Sequence, residues 1–191
     1  ELDRLNISVL SVEGVSFPTY MKILNAMQIY WISRTDNDVF KVPKNNEYRY
    51  AGVERCISFY MDYCQHTDSV VKTINAEKGK LRFTDKDNIP KESKNAAEII
   101  TKVLAKYDVL LAKIGLEEDL YNSPIQKDLQ DFYGKKLNQE EIIDKMKEHK
   151  AINMYEFLKK HKASLKNLKD DPLALPLVVA KEYIKRHYGS Y

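Results

Sequence analysis

Apolar residues along the chain recur mainly at spacings of three and four, the signature of helices that bury one face. The first such series is Tyr20, Ile23, Leu24, Met27 and Trp31, opened by Pro18 at a first-turn position and running to about Arg34. A second runs from about Glu47 to Glu77, where Val53, Ile57, Tyr60, Cys64, Thr67, Val71 and Ile74 alternate four and three like a heptad seam. A third starts at Ser93, a plausible N-cap, and carries Ala96, Ile100, Val103, Tyr107, Leu110 and Ile114 to a glycine stop at Gly115. Residues 35–46 and 84–90 hold Asp, Asn and Pro without periodicity and read as loops.

Beyond Gly115 the periodic stretches shorten. Ser123-Pro124 opens a helix closed by Gly134, and Asn138 caps another reaching about Lys147. Asn153 is placed to cap a third, and Asp171-Pro172 begins a final helix with Leu173, Leu177, Ala180 and Ile184 in a stripe. Residues 5–12 alternate roughly and mix in β-branched residues, which suits one short strand or an extended arm. The pattern therefore predicts an all-α fold: a multi-helix bundle of three long amphipathic helices followed by several shorter ones, with a short extended segment at the N-terminus. A single helical domain over residues 1–191 is expected, with a long-helix part at about 16–115 and a short-helix part at about 116–191.

Composition agrees with a helical, globular chain: only 6 glycines in 191 residues, 43% hydrophobic and 31% charged. The 31 basic and 28 acidic residues nearly cancel, so the charge balance does not imply a nucleic-acid binder. The apolar run from Leu173 to Ala180 is far below the roughly 20 residues of a bilayer-spanning helix, so no transmembrane segment is expected. The first residue is Glu1 rather than Met, so a processed N-terminus fits and both cytoplasmic and exported settings remain open. Cys56 and Cys64, eight apart on one predicted helix, would sit about 12 Å apart, beyond the roughly 7 Å a disulfide spans, and are expected to be free thiols.

The chemical motifs that glycine-rich phosphate loops and nucleophile elbows require are absent. No metal or other cofactor is expected. Asp62, Cys64 and His66 lie close in sequence, but on a helix Cys64 and His66 point about 200° apart, which leaves Asp62 and His66 as half a site and a surface pair as the simpler reading. The chain's 13 tyrosines are its most unusual feature. Tyr48, Tyr50 and Tyr60, with Arg49 and Arg55 among them, are candidate ligand-binding residues, against the simpler reading of an amphipathic rim whose hydroxyls reach water. Lys159, Lys162, Lys166 and Lys169 fall within an arc of about 80° on an ideal helix, and no acidic residue interrupts them. They form the candidate partner-binding face, suited to an acidic protein or an anionic membrane surface.

Three functional classes follow. The leading expectation is a non-catalytic helical interaction or adaptor protein. The second is a small-ligand-binding helical domain with an aromatic pocket. The third is an enzyme whose site is assembled from distant helices, with Asp62, His66 and Glu54 as participants.

Overall fold

A computed structural model describes residues 5–12 and 16–189. Helical turns make up 63% of the described residues, but these also form five short strands in two small sheets, which overturns the all-α expectation. The residues divide into two compact units, one of residues up to Leu111 together with those from Val179, the other Ala112–Val178.

In the first unit α1 covers Phe17–Ala26 and stops well short of Arg34. Gln28 takes a left-handed φ of 56°, and the β-branched and aromatic run Ile29-Tyr30-Trp31-Ile32 leads into strand β1, Ser33–Thr35. The anticipated apolar face does not form the core side of α1: Met21 is its buried residue, while Met27, on the anticipated face, is 63% exposed.

The predicted second helix is three elements. Tyr48–Tyr50 is strand β3, paired antiparallel with β2, Val39–Lys41, on one side and β4, Arg82–Phe83, on the other. Helix α2, Ala51–Tyr63, follows directly, and α3 runs Asp68–Glu77. The break between them is stabilised by a side chain that the heptad pattern had counted only as core: the Tyr60 hydroxyl accepts from the Thr67 amide at 2.9 Å. An orphan donor at the start of α3 is thereby satisfied away from its own backbone.

The predicted third helix ends early too. Helix α4 is Lys91–Leu104, capped at Pro90, so Ser93 lies inside it and is buried. After a short 3-10 turn, Asp108 adopts φ 62°, and Val109–Leu111 forms β5. β5 pairs in parallel with β1, in the register Ser33↔Val109, Arg34↔Leu110 and Thr35↔Leu111. Val109 and Leu110 are both buried, as expected where a parallel strand is covered on both faces. A run of three apolar residues is compatible with either element, and only the remote partner at 33–35 decides it. Val53, Tyr60, Leu81, Ile100 and Leu104 are fully buried between α2, α4 and their neighbours and form the core of this unit.

The second unit is built of α5 (Leu116–Tyr121), α6 (Gln126–Tyr133), α7 (Gln139–Lys147) and α8 (Lys150–His161) around Ile125, Leu129, Ile142 and Phe157. Asn138 caps α7 in a reciprocal box: its side chain accepts from the Glu141 amide, and the Glu141 carboxylate accepts from the Asn138 amide. Asn153 is not a cap but lies within α8, where its amide donates to the carbonyls of Lys145 and Glu148. After a 3-10 segment at Lys162–Leu168 and a 3-10 turn at Pro172–Ala174, α9 runs Leu175–Tyr188, with Pro176 in its first turn. No helix among the described residues is long and apolar enough to cross a membrane.

Candidate functional site

The parallel pair β1–β5 ends at Thr35 and Leu111, and the chain leaves β1 through Asp36-Asn37-Asp38 before entering β2. Two carboxylates two residues apart therefore sit on a tight connection at the carboxyl end of a parallel strand, the position where open α/β sheets bind ligands. The connection lies flush against the first turn of α2. A side-chain Cβ built on Gly52 would fall 2.3 Å from the Asp36 carbonyl oxygen and 2.8 Å from the Asn37 Cα, so only glycine permits the approach. The Gly52 amide donates to the Asp38 carbonyl at 3.2 Å. One turn further along α2, Arg55 donates through Nη2 to Asp38 Oδ2 at 2.8 Å and through Nη1 to Thr35 Oγ1. The acidic turn is thus held at both its backbone and its side chains by one face of α2.

Arg55 also forms part of the wall of a pocket of about 180 Å³ between α1 and α2. Phe17, Phe59 and Tyr63 provide its aromatic surface, the first two with ring centroids 5.2 Å apart, and Asp62 and Ser58 supply polar groups.

Of the candidate ligand-binding residues, Arg55 alone lines that pocket. Tyr48 and Tyr50 pack against Phe83 across the antiparallel sheet, with centroids at 6.3 and 5.2 Å. Arg49 pairs with Glu54. Tyr60 is fully buried, with Tyr107 edge-on at 4.9 Å. Asp62, His66 and Glu54 are not brought together: His66 Nε2 bonds the Met61 carbonyl at 2.6 Å, Glu54 holds Arg49, and Asp62 faces the pocket. Cys56 and Cys64 are free thiols, and burial pushes them up to about 12 and about 11, so neither is an activated nucleophile. Among the described residues no group of three His, Cys, Asp or Glu side chains is placed to hold a metal ion.

The four lysines do not share one α-helix. Lys159 lies on α8, Lys162 and Lys166 lie on the 3-10 segment, and Lys169 follows it. At three residues per turn, Lys162 and Lys166 diverge by about 120° instead of the 40° of an α-helix. Lys159 pairs with Glu156 at 3.2 Å and sits over the Tyr155 ring at 5.3 Å.

Residues 1–38 match the family model described as Overcoming lysogenization defect protein-like, TOPRIM domain. No curated protein matches the chain. The matched segment ends on Asp38, so it closes on the acidic turn described above. In the sequence, Asp36 and Asp38 fall in the aperiodic stretch 35–46 that reads as a loop. The signal that could have found them is the β-branched and aromatic run at 29–32 followed closely by Asp-x-Asp, which marks the end of a buried strand rather than of a helix.

Proposed function

We propose that this chain carries part of a divalent-cation-dependent site for phosphodiester chemistry on nucleic acid, centred on Asp36 and Asp38. The observation that supports it is the coincidence of two facts about one turn: the TOPRIM-like match runs up to Asp38, and the same residues stand at the carboxyl end of β1, pressed on Gly52. The donor set suits a hard cation, since Mg²⁺ is commonly held by one or two carboxylates while substrate phosphates complete its shell. The other carboxylates of the matched segment, Glu1, Asp3 and Glu13, lie outside the described residues. When bound, the cation would polarise a phosphoryl oxygen and lower the pKa of a coordinated water. Arg55 holds Asp38 in place and keeps a guanidinium beside it, a donor fork that fits phosphate as well as carboxylate.

The test is cleavage of single-stranded and plasmid DNA by the 191-residue chain with Mg²⁺ or Mn²⁺. Cation-dependent cleavage, lost in Asp36→Asn and in Asp38→Asn at unchanged circular dichroism, is the expected result. Absence of cleavage in the parent chain, or its persistence in both variants, would overturn the reading. The chain would then stand as a non-catalytic interaction protein, a second reading supported by the exposure of Ile152 (65%) and Tyr155 (62%) on α8 beside Lys159. Its partner would be an acidic protein or an anionic membrane surface, met through the α8 face that carries Lys159.

A further inference from the structure

The pocket between α1 and α2 has no part in the chemistry assigned to Asp36 and Asp38, yet it shares Arg55 with them. Its dimensions restrict its ligand. About 180 Å³ is below the roughly 300–1,000 Å³ of pockets for drug-sized ligands and whole cofactors, so the pocket suits a small group that is part of a larger molecule. Phe17 and Tyr63, both half-buried, offer aromatic surface of the kind on which bases stack irrespective of sequence, backed by the buried Phe59. The charges are arranged with opposite signs. Arg55 reaches from the pocket to Asp38, and the first turn of α1, which supplies Phe17 and Pro18 to the wall, contains no acidic residue to offset the positive end of its dipole. Asp62, on the next turn of α2 after Ser58, supplies a carboxylate able to accept from an exocyclic amine.

We infer that this pocket holds one unpaired base of a single-stranded nucleic acid, stacked on the aromatic wall, with the adjoining phosphate directed by Arg55 toward the Asp36–Asp38 turn. The inference takes nucleic acid as the substrate class from the reading above. It adds a preference: cytosine presents an amine that Asp62 accepts, while thymine presents a carbonyl oxygen and a methyl group at the corresponding edge. A base must leave the duplex to enter, so single strands bind ahead of duplexes.

The experiment is fluorescence anisotropy of end-labelled dC12 and dT12 with the 191-residue chain, at low salt and with EDTA present so that no divalent cation contributes. The chain is expected to bind dC12 about five-fold or more tighter than dT12, and Asp62→Ala, at an exposed position, to abolish that difference. Tyr63→Ala should weaken both oligonucleotides by about five-fold or more, the measured scale of one base–aromatic stack, while Tyr63→Phe binds as the parent does. If Tyr63→Ala does not fold, Tyr63→Leu serves in its place with the same expected loss. Equal binding of dC12 and dT12 by the parent chain, a preference that survives Asp62→Ala, or no binding of either strand overturns the inference. The two proposals fail separately. Base preference without cation-dependent cleavage retains the pocket and removes the catalytic site, whereas cleavage that needs Asp36 and Asp38 without any base preference does the reverse.

Discussion

The unit around β1 and β5 and the unit of residues 112–178 are both mostly helical, yet they are organised by different kinds of contact. In the second, helices α5 to α8 follow one another closely in sequence, and their ends are set by neighbours a few residues away, as at Asn138 and Glu141. In the first, residues 33–35 find their hydrogen-bond partners at 109–111, with three α-helices and a three-stranded sheet in between. Long-range pairing of this kind also creates the candidate site, because the acidic turn exists only where β1 stops and α2 covers it. A local unit can be read from local signals; a unit closed by a parallel pair needs knowledge of both strands.

The largest effect should come from charging the core that holds the long-range unit together. Ile100 is fully buried in α4, so Ile100→Asp places an unpaired carboxylate among apolar side chains and should destabilise by several kcal/mol. Chemical denaturation with amide hydrogen exchange would check it: protection of β1 and β5 amides should collapse. Retained protection of those strands would show that the parallel pair does not depend on α4.

A smaller effect should separate the site from the fold. Gly52→Ala adds a methyl group where the Asp36 carbonyl oxygen lies at 2.3 Å, and relief requires moving backbone rather than a flexible side-chain end. A cost of about 1–3 kcal/mol is expected, typical of overpacking. The 36–38 turn should shift at the same time, visible as displaced amide resonances there with those of α5 to α8 unchanged. Unperturbed resonances at 36–38 would mean that the turn is not seated on α2 as described.

The smallest expected effect belongs to the local unit. Asn138→Ala removes the side-chain half of the α7 capping box, the acceptor for the Glu141 amide, and leaves the backbone amide that donates to the Glu141 carboxylate; it should cost about 1 kcal/mol, read as a modest drop in denaturation midpoint. An effect as large as that of Ile100→Asp would erase the contrast between locally and remotely organised regions.

How much was legible follows the same division. The α4 core positions Ala96 and Ile100, the cap at Asn138 and the stop at Gly134 are visible in the chain because each is fixed by residues within one or two turns. The extension of α1 through Trp31 failed because apolar spacing alone does not register that Ile29 to Ile32 are poor helix formers, two of them β-branched and two aromatic. Tyr48, Tyr50 and Tyr60 read as one cluster in the sequence, but the first two are strand residues packed on Phe83 and the third is buried core whose hydroxyl accepts from Thr67 at the start of α3.

The amino-acid sequence by itself determined that this chain is helix-rich and where many of its helices form, since propensity, capping and periodicity act over a few residues. Tertiary structure decided which apolar runs became strands, because a three-residue strand gains stability only from a partner, and β5 lies more than seventy residues from β1. It also decided what Gly52 is for. No property of the residue signals that Asp36 will pass within contact distance of it, and that approach arises only when the β1 turn and the start of α2 are packed together.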